Sequence, residues 1–382
     1  MRIIKITLFI GILLLARPAL ADDLLSPDCP LSSPLRLVSA ESDSLAETVS
    51  DAFEAYEFLD PSDETHGSGH ASHKRADAHG PASIVVDHMH KPGSFMVEYK
   101  FAHMRMDGMR RGNHRVGAAE YFANTGFTIM PTDMIMEMHM LHFMYGLEEN
   151  LTLYSMVMFK SMTMDHRNAA GNVRFRTHND GLGDLIFGGL TRLYEGCNDE
   201  LLVNLGFSAP TGDIGVRVPA GVPPGGSEFP YPMRLGSGTF NARPGMTYRY
   251  TGPAASVGAQ FQANLPVGRN HSGYAEGPEY KINFWYARLL AQKISASFRV
   301  ENTFREQIRG RDPNLDGFLT VVPTARPDMR AGQWVNFGYG LNFGPWRHQR
   351  LGIEIGHPVY QWVSGHQLET DLFLTGSWTA AW

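Results

Sequence analysis

Methionine is the residue type whose placement in this chain could do chemistry. Fifteen of the nineteen methionines fall between Met89 and Met164, many of them at every second position. Thioether sulfur is a soft, neutral ligand that selects Cu(I), and it needs no deprotonation, so it works at acid pH. Met104 with Met106, then Met134, Met136, Met138 and Met140, then Met156, Met158, Met162 and Met164 form three such ladders. His139 and His142 are interspersed, and His88 and His90 lie upstream, so imidazole ligands stand beside the sulfurs. Methionine is also an adaptable apolar filler, so a greasy path for an apolar solute, or packing alone, would use the same residues.

A ladder of alternate methionines has meaning on a β-strand, where successive side chains point to opposite faces. From Thr152 to Met164 the methionines share parity with Thr152, Tyr154 and Lys160, while Leu151, Leu153, Val157 and Phe159 hold the other face. Met96, Met104 and Met106 go with Glu98 and Lys100, opposite Val97, Tyr99 and Phe101. Met134 to Met144 goes with Thr132 and His142, opposite Ile135, Leu141, Phe143 and Tyr145, although Glu137 and His139 interrupt that apolar face. A greasy face for lipid and a wet one for an aqueous lumen is the pattern of a membrane barrel, here with methionine on the lumen side.

The same template gives twelve strands, near 94–106, 127–145, 150–165, 182–195, 199–210, 240–251, 254–267, 278–291, 293–306, 333–344, 348–363 and 366–382. Short connections alternate with long ones at 107–126, 166–181, 211–239, 268–277 and 307–332, as periplasmic turns alternate with outer loops. The last strand alternates Leu372, Leu374, Trp378 and Trp382 with Asp371, Thr375, Ser377 and Thr379, and it closes on an aromatic. Soluble strands run about 5 to 6 residues, so a strand of this length argues for a bilayer crossing. No run of about 18 apolar residues is present, which excludes a helical membrane protein.

Three segments are expected. Residues 1–21 read as a signal peptide, with Arg2 and Lys5 before the apolar run 6–15 and Ala19 and Ala21 at the cleavage site. Cleavage removes three basic residues, taking the net charge from −6 to −9, and nothing in that charge calls for nucleic acid. Residues 22–92 form a periplasmic extension and 93–382 the barrel. Leu45, Val49, Phe53 and Tyr56 recur at helical spacing behind a Ser44–Glu47 capping box. That amphipathic helix would plug the lumen, dock below the barrel or bind a periplasmic partner. His66, His70, His73, His79, His88 and His90 make a polar tract fit for borderline metals or for a solvated linker. Cys29 and Cys197 both fall on the periplasmic side, an oxidising compartment that permits a bridge between them.

Two other patterns carry less. Asp312, Asn314, Asp316 and Gly317 copy the first half of a calcium loop, but Pro323 stands where its bidentate Glu belongs. His271 beside Ser272 lacks a partner carboxylate, so no catalytic set is formed and the protein does not read as an enzyme.

Several motifs together resemble a family. They are Asp87-His88-Met89-His90-Lys91-Pro92-Gly93, the Met-His-Met-Leu at 138–141 with Met144-Tyr145-Gly146, Gly181-Leu182-Gly183-Asp184, Pro210-Thr211-Gly212, the run from Tyr231 to Thr239, Gly268-Arg269-Asn270 and Gln367-Leu368-Glu369-Thr370-Asp371. They are similar to outer-membrane transporters related to the phenol meta-pathway barrel proteins, over residues 85–382. The resemblance implies fold, location and channel activity, and it carries no ligand-binding residue.

The fold expected is all-β: a single up-and-down antiparallel transmembrane barrel of about 12 strands with a short helical or disordered N-terminal extension, embedded in outer-membrane lipid of a Gram-negative bacterium. The function expected is a channel or transporter whose Met-rich lumen handles Cu(I) or another soft metal. Passive uptake of small aromatic or apolar solutes is the alternative, and a non-transporting metal-binding or structural outer-membrane protein is the third.

Overall fold

In the computed structural model, which describes residues 75–171, 173–222 and 225–382, the period-two segments pair antiparallel with their neighbours in sequence. The wall begins with β1 (Phe95–Gly112), continued by the short β2 (His114–Val116) and the helix α1 (Ala118–Thr125). Then come β3 (Ile129–Glu148) and β4 (Leu151–Asn168), followed by β5 (Arg174–Leu182) and β6 (Leu185–Glu195), which both run along β4. β7 (Asp199–Ala209), β8 (Phe240–Thr251), β9 (Ala255–Val267), β10 (Tyr274–Ala275), β11 (Glu279–Ala291), β12 (Ile294–Arg305), β13 (Arg309–Gly310), β14 (Gly332–Trp346) and β15 (Gln349–Ala381) complete the set. β10 and β13 pair with each other in the outer loops.

The sheet closes because β15 pairs on both sides. Its first half lies along β14, with Gly332 opposite Val363 and Phe343 opposite Leu351. Its second half lies along β1, with Met96 opposite Ala381 and Arg105 opposite Leu372. The strand therefore folds back at Ser364–Gly365, where Gly365 takes the left-handed φ of 65° that glycine tolerates. Eleven strands close the ring, with β5 joining β6 in one crossing, and because β15 makes two crossings they give the twelve that the alternation predicts. Trp382 ends the circuit, exchanging backbone hydrogen bonds of 2.8 and 2.9 Å with Phe95.

Burial follows the expected parity. Leu141, Leu153, Val157, Phe159, Phe187, Phe207, Ile353, Ile355 and Trp378 are exposed on the outside, where lipid covers them, while the alternate residues are buried inside. Two stretches depart from the sequence-based boundaries. Residues 166–181, expected as an outer loop, are mostly strand, because β4 and β5 rise beyond the apolar belt where neither face is greasy. There the ladder is held by polar pairs such as Arg176–Asp165 at 2.7 Å and Thr163–His178 at 3.0 Å. Residues 107–126, also expected as a loop, extend β1 and form α1. Register shifts around Gly108 (φ 83°) reverse the parity of β1, so Met109 and Leu368 pack beside Tyr121 instead of facing lipid.

Candidate functional site

The lumen is filled from both ends, and each filling is built from the chain itself. At the end of the short turns, residues 75–92 enter the barrel. This stretch forms neither helix nor strand, so its buried carbonyls need outside donors, each worth about 1–3 kcal/mol if left unpaired. Lumen-facing side chains supply them. Ser256 donates to Asp77 O at 2.7 Å, Ser295 to Ala76 O at 3.1 Å, Gln260 to Val85 O at 2.9 Å and Arg249 to Asp87 O at 3.1 Å. Lys100 donates to Ile84 O. Ala76, Ala78 and Ala82 are buried, and their small size lets the backbone lie close to the wall. The part of the expected periplasmic extension that is described thus sits inside the barrel; the helix proposed over 45–56 and the histidines 66, 70 and 73 lie outside the described residues.

Beside this segment the wall carries the methionines, and the register places them in rungs across β1, β3 and β4. Met104 is opposite Met136, which is opposite Met162; Met106, Met134 and Met164 make the next rung. Paired side chains on one face stand about 4.5–5.5 Å apart at Cβ, so each rung brings three thioethers together. Met140 and Met158 share a rung with Lys100, Met138 lies between Ala102 and Lys160, and Met156 lies opposite His142. All ten ladder methionines face the lumen. The outer loop 211–239 folds down onto the upper rungs, where Val218, Phe229, Met233 and Leu235 pack on Met134, Met162 and Met164. Lys160 and Asn179 bind the carbonyls of Leu235 and Met233, each at 2.7 Å, and hold it there. The inserted segment covers the lower end, with Val86 and Met89 against Met96, Met144 and Met156. Between the two fillings Met104, Met138, Met140 and Met158 remain half-buried.

The histidines separate. His142 is buried in the lumen with Nδ1 3.3 Å from Glu98. His88 and His90 lie on the inserted segment, their rings 4.9 Å apart between centroids, and His79 meets the His88 ring edge to face at 4.0 Å. His139 is corrected: it faces outward, bonded to the Tyr99 hydroxyl at 2.7 Å, and stands on the far side of the wall from every ladder methionine. Its odd number gave this away, since Ile135 and Leu141 share its face. Missed in the sequence as partners were His79 and Asp87, which close on His88 across a turn that no periodicity marks. At that turn Val86 has φ 57°, a strained value for a β-branched residue.

The opposite wall is charged. Arg299 binds Glu354 and Glu301, each at 2.7 Å, and Glu354 accepts from Ser83 of the inserted segment at 2.5 Å. Above it Arg234 fastens three outer loops: it meets Asp312 at 2.6 Å, Glu228 at 3.2 Å and the Tyr274 hydroxyl at 3.0 Å, with its guanidinium 5.0 Å from the Tyr274 ring centre. Burial, then the neighbouring Asp312 carboxylate, pushes the Glu228 carboxyl above its ordinary range. Asp312 also caps Asn314, and Asp316 pairs with Arg311, so the half calcium loop is a structural turn. Cys197 is disulfide-bonded; Cys29, the chain's other cysteine, lies outside the described residues.

A sequence profile described as "Putative MetA-pathway of phenol degradation" matches residues 121–345, more than half of the chain. The structure is similar to that of an outer membrane channel from Pseudomonas putida F1, with a TM-score of 0.56 and 16% identity over 78% of this chain and 99% of that one. It is also similar to the transport unit of the autotransporter AIDA-I from Escherichia coli, with a TM-score of 0.44 and 9% identity over 78% and 92% of the two chains. No curated protein matches the chain. With its lipid-facing belt, the barrel belongs in the outer membrane of a Gram-negative bacterium.

Proposed function

We propose, from the premise that the chain belongs to this phenol-degradation family, that the protein is an outer-membrane channel whose methionine wall passes small apolar or aromatic solutes. The observation that carries this reading is the half-buried set Met104, Met138, Met140 and Met158, facing the lumen between the two fillings. Barrel lumens are usually polar, so a thioether wall opposite a charged one lets an aromatic solute slide along one side while its polar group meets the other. The upper rungs are covered by Phe229, Val218 and Leu235, a dry contact that suits packing and apolar passage more than a copper centre. Uptake of a radiolabelled small aromatic by intact cells tests it. The protein should raise uptake several-fold, Met138, Met140 and Met158 changed together to Leu should keep it, and the same three changed to Asn should lose it. Equal uptake in all three overturns the reading.

Copper handling is the second reading, favoured by the Met104–Met136–Met162 rung. Three thioethers side by side suit one Cu(I) ion. Titration of purified barrel with Cu(I) against a competing chelator decides it: changing Met104, Met136 and Met162 to Leu should abolish binding, and unchanged binding rejects the rung as the site.

A further inference from the structure

We infer that the cavity between the inserted segment and the wall binds one borderline divalent cation, of the Zn²⁺ or Cu²⁺ kind, through His79, Asp87 and His88, with His142 of the wall bordering the same cavity. One ligand atom from each of His79, Asp87 and His88 lies within 4.8 Å of the others. Ligands about 2.1 Å from a tetrahedral ion stand about 3.4 Å apart, so roughly 1 Å of side-chain movement completes the set. His88 Nδ1 and Asp87 Oδ1 are already 2.7 Å apart, a contact in which an entering ion displaces a proton. The cavity they line has a volume of about 30 Å³, enough for an ion.

His142 is the independent observation. It is 2% exposed, lines the same cavity from β3, and its Nε2 has no hydrogen-bond partner while its Nδ1 is held by Glu98. A carboxylate behind one ring nitrogen fixes the tautomer and orients the other nitrogen toward a metal, the arrangement common behind metal-bound histidines. Lys100 and Arg350 also border the cavity, and the carboxylates of Asp87 and Glu98 offset their charge. Imidazoles with one carboxylate suit zinc or copper(II) and not magnesium or calcium, which take oxygen ligands. The three ligands come from both limbs of the turn at 80–86, so a bound ion ties the inserted segment to itself, beside His142 of β3. The inference is independent of what the channel passes.

The test is titration of the full chain, folded in detergent near neutral pH, with Zn²⁺ alone against a chromophoric chelator. Wild type should take up one tight equivalent, and so should a variant with His66, His70 and His73 changed to Ala, which empties the upstream tract. His79→Ala with His88→Ala should weaken that equivalent at least 100-fold, and His142→Gln about 10-fold. Binding equal in wild type and the His79/His88 variant overturns the site, as does its loss in the upstream variant. Heat-dependent gel migration shows whether each barrel is folded. If the double variant does not fold, His142→Gln decides, and wild-type affinity there overturns the inference.

Discussion

At the scale of single residues the molecule depends on a few buried charges that join separate parts. Glu354 is fully buried and links Arg299 of the wall to Ser83 of the inserted segment. Changing Glu354 to Ala leaves Arg299 with Glu301 and Asn283 alone, and breaking a buried pair costs about 3 kcal/mol or more. The expected outcome is a lower urea midpoint and a cleavable segment at Arg75; an unchanged midpoint would contradict the pairing. Arg234 plays the corresponding part above. Arg234→Ala should free the loop 211–239, raising the rate at which trypsin added to intact cells cuts the exposed Arg217. The parity of the methionines was legible in the sequence, because alternation is a property of the strand alone. The union of His79, Asp87 and His88 was not, because it rests on a turn at Val86 that leaves no repeating pattern.

At the scale of elements, strand and turn chemistry account for most of the wall. The greasy parity marks each crossing within the apolar belt, and it fades where β4 and β5 rise above it, which is why 166–181 looked like a loop. The inserted segment is the element with the clearest functional consequence. It has no hydrogen bonds of a regular element and relies on side chains from β8, β9, β12 and β14. A variant lacking residues 75–92 should keep a folded barrel, since the wall pairs without it, and should show larger single-channel conductance in planar bilayers. Conductance equal to wild type would mean that the outer loops alone set the passage.

At the scale of the whole molecule, closure is what stabilises the fold, since the pairing of β15 with β1 leaves the ring of wall strands without a terminal edge, and only the short β2, β5, β10 and β13 outside that ring keep an unpaired side. Trp382 completes that closure through its two backbone bonds to Phe95 and an edge-to-face ring contact at 5.4 Å. Deleting Trp382 should lower the amount of heat-resistant barrel in the outer membrane; undiminished levels would show that the final residue is dispensable. Cys197 lies in the turn between β6 and β7, and Cys197→Ser should leave the barrel folded while changing its migration on non-reducing gels.

The sequence by itself determined the fold class, the twelve crossings, the inward direction of the ladder methionines and the family, because each follows from a local repeat or a contiguous motif. Only the tertiary structure decided that 75–92 lies inside the lumen, that 211–239 folds down onto the upper methionine rungs, and that His79 and Asp87 close on His88. Those outcomes depend on contacts between residues far apart in the chain, such as Ser83 with Glu354 and Asn179 with Met233, and a period read along one strand carries no information about what fills the space it encloses.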